Sequence, residues 1–461
     1  MHASPQLRIS RSAPLVVGAA GLAAAVGILA AYDPVLGLLA AFGAAFVAFV
    51  LSDFTRGLLL FVGISFLEII PGVIPAAAGN VLGVLLVLSW VATIAVRERG
   101  VPSLLAARPW LVVMLTLFLV WMGTSLLWAR SSDSAFEDLI RYVPLIALFG
   151  IVHAAIRTRN HLLALCVVFV GGAMVAVTVG LVSAPASDSS GSTRFATVAN
   201  PLAPVLVGGA VLAAAFAGMT TRHVALRLAA AGACCYCLAG VLLTGSRGGL
   251  LGLALALLVG LFFAGRGRRA RVLPVVVIAV SMALLYVLAI APPAARDRIT
   301  NPGDGTGRAD VWKVGVEMVK ANPILGVGAG NFRARSPEYV LRAGLIRRSD
   351  LIIDKPLVAH NIYLAVLSQL GIVGLLLFLG IIGASLRAVV AAARAFKRQK
   401  DEELELLSRA SFIALCGILA AGFFGSWSFS MPALWFLLAT CSVMLRLARE
   451  KPFGRPMVGA R

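Results

Sequence analysis

Charge is scarce in this sequence: only 13% of its 461 residues are Asp, Glu, Lys or Arg, against 60% apolar residues and a mean hydropathy of +0.96. A water-soluble domain with a polar shell cannot be built from that composition, which excludes a soluble enzyme or binding module. Acids are the rarer sign, 20 against 40 Lys and Arg. In a soluble chain the net charge of +20 would point to nucleic acid, but here the cations gather at the ends of apolar runs, where topology and lipid headgroups account for them. No nucleic-acid partner is expected. Cysteine is sparse as well: Cys166, Cys234, Cys235, Cys237, Cys416 and Cys441 all fall inside apolar runs, which argues against a disulfide framework. Cys234, Cys235 and Cys237 lack His or Cys partners at ligand spacing and read as small membrane-core residues, so no metal is assigned to them.

What the chain does have is long apolar runs. Stretches of about 17 to 25 residues, enough to cross a hydrocarbon core as helix, recur between residues 14 and 447. Backbone groups in lipid must be satisfied within the chain, so these runs predict an all-α fold. The expected architecture is a polytopic transmembrane helical bundle of roughly 12–14 spans, both termini cytoplasmic, with one large extracytoplasmic loop. Arg8 and Arg11 ahead of the run from Leu15 resemble a signal peptide, yet no polar domain follows, and the run reads as the first span. The 46 glycines suit close helix packing in lipid.

Orientation follows from alternate short loops rich in cations: Arg97, Arg99 and Arg108; Arg157 and Arg159; Arg222 and Arg227; GRGRRAR at 265–271; and Arg394, Lys397, Arg398 and Lys400. These are expected in the cytoplasm, and the acidic or Ser-rich connections at 131–138 and 183–195 outside. The chain then divides into a first part of the bundle over 1–291, an extracytoplasmic loop over 292–359, and a second part with a cytoplasmic tail over 360–461. That loop holds eleven Lys or Arg against seven Asp or Glu. Long loops translocate regardless of charge, so the excess of cations is compatible with an anionic ligand or with a merely solvated loop. Within it, GRADVWKVGVEMVKAN at 307–322 places Val311, Val314 and Met318 at helical spacing, with Trp312 and Val319 on a neighbouring face and Pro323 closing the helix. An amphipathic helix on the membrane or over the bundle mouth is expected, with Trp312 at the interface.

Of five histidines, His2, His153, His161 and His223 fall at or near the cytoplasmic side, which leaves His360 alone on the outer face. It opens HNIYLAVLSQLGIVG where the loop returns to the membrane, and an imidazole there can accept a proton; the blander reading is a helix cap beside Asn361. Three outward arginines lie near helix ends: Arg194 in STRFATVANP, Arg247 in TGSRGG and Arg308 in GTGRADVW. Guanidinium groups bind phosphate oxygens bidentately and stay charged, so three converging would suit a diphosphate, with snorkelling to headgroups as the alternative for any one of them. In TGSRGG the glycines permit a tight turn and leave amides that could donate to an anion at the next helix start.

These motifs resemble the O-antigen ligase and polymerase superfamily of bacterial envelope glycosyltransferases. GRADVWKVGVEMVKANPILGVGAGNF at 307–332, followed by AHNIYLAVLSQLGIVGLLLF at 359–378, looks like that family's Arg and Trp helix, glycine-punctuated turn, HNxYL and Gly-rich helix. The motif support covers roughly 194–378; residues before it match in hydropathy only. The resemblance implies a fold like the GT-C-like lipid-linked glycosyltransferases and transfer of a preassembled glycan from undecaprenyl diphosphate to an acceptor sugar hydroxyl on the outer face of the bacterial inner membrane. The implied acceptor is lipid A core in a ligase, or another lipid-linked repeat unit in a polymerase. Carried over by motif, Arg247 is the arginine at the helix turn, Arg308 the loop arginine, His360 the histidine on which activity depends, and Arg194 a further diphosphate ligand.

A metal-independent, cofactor-free inverting transfer is expected, since Asp297, Asp304, Asp310, Asp350 and Asp354 make no paired carboxylates at chelating spacing. Gln369 is assigned no role. The readings carried are a ligase, a polymerase using the same donor, and, from another class, a glycolipid transporter or flippase. The halves show no inverted repeat, and the polar residues gather at outer ends rather than at the midplane, which weighs against transport.

Overall fold

The computed structural model describes residues 13–69, 78–96, 102–183, 199–219, 222–263, 266–291, 296, 307–344, 346–347, 349–354, 356–425 and 431–450. Arg194 lies outside the described residues. Among the described residues there are helices and no strands, the all-α architecture that a lipid solvent imposes. In chain order they are α1 (Ala13–Tyr32), α2 (Pro34–Ser52), α3 (Phe54–Ser65), α4 (Ala78–Val96), α5 (Pro109–Thr124), α6 (Ser132–Ala155), α7 (Arg159–Ser183), α8 (Ala199–Ala217), α9 (Val224–Thr244), α10 (Arg247–Phe263) and α11 (Arg266–Leu285). These are followed by α12 (Arg308–Ala321), α13 (Ile362–Arg398), α14 (Glu402–Gly422) and α15 (Pro432–Arg449).

Seven of these helical segments are long and apolar enough to cross a membrane, with five shorter apolar ones beside them. The chain is a multi-pass membrane protein. Burial separates its helices sharply: 83% of the apolar window in α15 is buried against 11% in the helix spanning Leu273–Ile290, so α15 is the axis and α11 faces lipid. Trp435 of α15 is fully buried and sits 5.8–6.4 Å, ring to ring, from Phe118, Tyr142, Phe149 and Phe378. One aromatic cluster thereby joins α5, α6, α13 and α15. Lipid supplies no hydrophobic drive between helices, so contact area and small residues decide which ones touch. A methyl on Gly252 of α10 would lie 2.5 Å from the Gly417 carbonyl oxygen of α14, a separation that only glycine permits.

The polar contacts segregate to the two ends of the bundle. At one end Arg159 and Arg222 bind Glu403, and Gln399 donates to the Ala448 carbonyl. At the other, Arg130 binds Glu338, and Tyr363 donates to the Leu419 carbonyl. They are called here the Glu403 end and the His360 end.

The expected helix at 307–322 is α12, and Val311, Val314 and Met318 are its buried face. Trp312 packs at 5.8 Å on Phe423 and 5.7 Å on Phe424, and its indole N–H donates 2.9 Å to the Ala359 carbonyl. It is docked on the end of α14, over the bundle mouth, where a partner carbonyl and two aromatic rings satisfy both halves of the indole.

Candidate functional site

Two glycine-dependent segments build the His360 end. α13 is interrupted at Gly371 (φ 65°, ψ −168°), which frees the carbonyls of the preceding turn. The stretch 324–332 supplies the donors: Val327 N–H gives to Ser368 O and Gly328 N–H to Gln369 O, both at 2.9 Å, while Trp121 Nε1 takes Leu370 O at 2.8 Å. In return Ile372 N–H donates to Pro323 O at 2.9 Å. Gly326, Gly328 and Gly330 all have positive φ, and a methyl on Gly326 would sit 2.3 Å from Gln369 O, so backbone approach and dihedral both require glycine. Gln369, given no role from sequence, is buried and accepts from Gly330 N–H at 2.6 Å. Asn331, fully buried, accepts from Ser131 N–H at 2.7 Å and donates to Ser131 O at 3.0 Å. The glycine-punctuated motif is thus a clamp that locks 324–332 onto α13 and the start of α6, and it delivers Arg333 one residue later.

α12 and α10 share a platform. Trp312 rests on Phe423 and Phe424, and a methyl on Gly248 would meet Phe424 Cβ at 3.2 Å and Ala421 O at 3.1 Å. Within TGSRGG, Gly245 with φ 58° makes the tight turn, and Gly248 and Gly249 are packing glycines inside α10 that permit the close approach. The Gly249 amide is already taken by Ser246 Oγ at 3.3 Å. No side chain caps α12, whose first residue is Arg308.

His360 stands two residues before α13 with φ 51°, a left-handed conformation that costs a non-glycine residue about 1–2 kcal/mol. The cap of α13 is Asn361, whose Oδ1 accepts from Tyr363 and Leu364 N–H at 2.9 and 3.0 Å. The capping explanation for His360 therefore fails. Its Nδ1 is buried without a hydrogen-bond partner. Burial first, then the charges of Arg308 and Arg333, hold the imidazole down to about 4, so it is neutral at physiological pH. Arg308 is itself pushed below the ordinary guanidinium range by burial and by Arg247, and a guanidinium so shifted still keeps its proton at neutral pH.

The structure thus brings together Arg247, Arg308 and His360 and adds Arg333, which sequence reading missed although it directly follows the NF of the motif. Arg247 and Arg308 open α10 and α12, and Asn361 caps α13 beside His360, so these residues stand at positive helix ends, with Arg247 acting on Arg308 and Arg308 and Arg333 acting on His360. Several nearby acids are engaged elsewhere, Glu338 by Arg130 and Arg335, Asp310 by Lys313 and Glu317 by Lys320, while Asp138, 3.6 Å from Arg141, also acts on Arg333. No carboxylate lies within ion-pair distance of Arg308 or Arg333 among the described residues. Such an arrangement is a preformed field for a polyanion with an unprotonated imidazole at its edge.

Residues 232–379 match the sequence model of the O-antigen ligase family. The resemblance read from the motifs therefore holds from α9 into α13, and the matched stretch contains Arg247, Arg308, Arg333 and His360. The chain matches no curated protein. The match covers about a third of the chain and supports a function of ligase or polymerase kind.

Proposed function

We propose that the protein is an O-antigen ligase that transfers a preassembled glycan from undecaprenyl diphosphate to a sugar hydroxyl of lipid A core at the outer face of the inner membrane. The observation that carries this reading is the grouping of Arg308 and Arg333 beside a neutral His360, with Arg247 acting on Arg308. The sidedness rests on the cations of the Glu403 end, Arg157, Arg159, Arg222, Arg227, Lys397, Arg398 and Lys400, which set that end in the cytoplasm. Residues 292–359 then form the extracytoplasmic loop between the two parts of the bundle, and Arg194 joins the donor site.

In this reaction the bond from the anomeric carbon to the diphosphate oxygen breaks as the acceptor oxygen bonds to the opposite face of that carbon, inverting it. Arg247, Arg308 and Arg333 stabilise the charge that grows on the departing diphosphate, the work a metal does in other transferases. His360 takes the acceptor's hydroxyl proton, a role worth about 10²- to 10⁴-fold. A resting imidazole near 4 is a weak base. The donor's negative charges oppose Arg308 and Arg333, so bound donor raises the basicity of His360 when it is needed. Binding order and catalysis are coupled in this way.

Transfer from a purified undecaprenyl diphosphate-linked glycan, with lipid A core as acceptor and with EDTA present, tests the proposal. Glycan attached to lipid A core is expected. Longer lipid-linked chains with no acceptor product would assign a polymerase, and movement of intact glycolipid across the bilayer without transfer would assign a transporter.

A further inference from the structure

The Glu403 end holds a second cluster of arginine and histidine that the transfer reaction does not use. His153, near the end of α6, is fully buried, and neither of its ring nitrogens has a hydrogen-bond partner. Arg108, just before α5, donates through Nη2 to the Ala384 carbonyl at 3.1 Å, while its Nη1 is buried and unsatisfied. Arg446 of α15, with its side chain 9% exposed, donates through Nη2 to the Ile156 carbonyl and leaves Nη1 buried and unsatisfied. Both guanidinium groups are close enough to act electrostatically on His153. Exposed Arg157, Arg387 and Arg449 stand nearby, the first acting on Arg446 and the other two on Arg108. Against them the cluster has Glu450, 3.5 Å from Arg446.

Topology explains cations on the surface of a cytoplasmic loop; it does not explain two inward guanidinium groups and an imidazole with unused donors. Buried donors without acceptors are costly, and those on α6, α15 and the start of α5, near enough for the two arginines to act on His153, are the complement of an anion with several oxygens. We propose that Arg108, His153 and Arg446 form a binding site for a phosphate group, supplied by an anionic phospholipid headgroup or by inorganic phosphate, with Arg449 and Arg387 at its rim. The rim would draw the anion in, and the buried donors would hold it.

The full chain in nanodiscs tests this. Thermal unfolding and retained lipid by native mass spectrometry are compared in phosphatidylcholine alone, in phosphatidylcholine with phosphatidylglycerol, and in phosphatidylcholine with inorganic phosphate against chloride at equal ionic strength. Stabilisation and retention by phosphatidylglycerol assign the headgroup; stabilisation by inorganic phosphate alone assigns the free ion. Arg108→Gln with Arg446→Gln should lower retention at least tenfold, and Arg449→Gln about fivefold, the worth of one surface cation at an anionic membrane. Arg222→Gln, at an arginine already bound to Glu403, should leave it unchanged. If neither phosphate source stabilises the wild-type chain, or if Arg222→Gln loses as much as the double variant, the site does not exist. The wild-type comparison decides even where the double variant fails to fold.

Discussion

At the Glu403 end Arg159 and Arg222 share one buried carboxylate and Arg409 is held by Glu405, so those cations fasten α7, α14 and the α8–α9 connection. At the His360 end Glu338, Asp310 and Glu317 are spent on Arg130, Arg335, Lys313 and Lys320, and among the described residues no carboxylate stands within ion-pair distance of Arg308 or Arg333, Asp138 acting on Arg333 from farther off. The same residue type thus does two jobs, and the position of carboxylates decides which. A paired guanidinium stabilises the fold modestly; one without a carboxylate at a helix start remains available to a ligand.

That contrast can be broken by mutation. Arg308→Gln should lower transfer by about 10²- to 10³-fold in kcat, the usual loss on removing one donor to developing negative charge, and a steady-state assay reads it. The acid side of the pH profile comes next. Because the resting imidazole is held near 4, the kcat/KM limb should fall there; at pH 5.5 the free enzyme should keep about tenfold more activity than an ordinary histidine near 6.5 allows. The limb of kcat, which reports the complex, should lie at higher pH because bound diphosphate offsets the arginines. Gly328→Ala should destabilise by about 1–2 kcal/mol from its positive φ alone, with more from the methyl 2.8 Å from Ala129 Cβ, seen as a lower unfolding midpoint. Arg159→Gln, at the paired end and 44% exposed, should cost about 0–1 kcal/mol and leave transfer unchanged.

Much of this was legible in the sequence because lipid makes hydropathy and backbone satisfaction nearly sufficient to give helices, and because one face of the 307–322 segment is apolar at helical spacing. Arg247, Arg308 and His360 stood out as polar groups at helix ends on one side. The clamp did not, since the partners of Val327, Gly328 and Gly330 are Ser368 O, Gln369 O and the Gln369 side chain, some forty residues away, the two carbonyls freed by a break at Gly371 that a Gly-rich helix does not announce. Gln369 and Asn331 matter for the same long-range reason. The Phe423 and Phe424 partners of Trp312 were not legible, because an indole suits a lipid interface and an aromatic platform equally. Arg333 hid among loop cations, and Arg108 and Arg446 among topological ones, since sequence shows the sign of a charge but not the absence of its partner.

The central claim is that His360 acts on the acceptor and not on the fold or the donor. Asn tolerates the left-handed backbone at this position, so His360→Asn keeps the conformation and removes the base. With donor binding and single-turnover transfer measured side by side, the account predicts donor affinity close to wild type and transfer slowed about 10²- to 10⁴-fold. Transfer at the wild-type rate from that variant would contradict it.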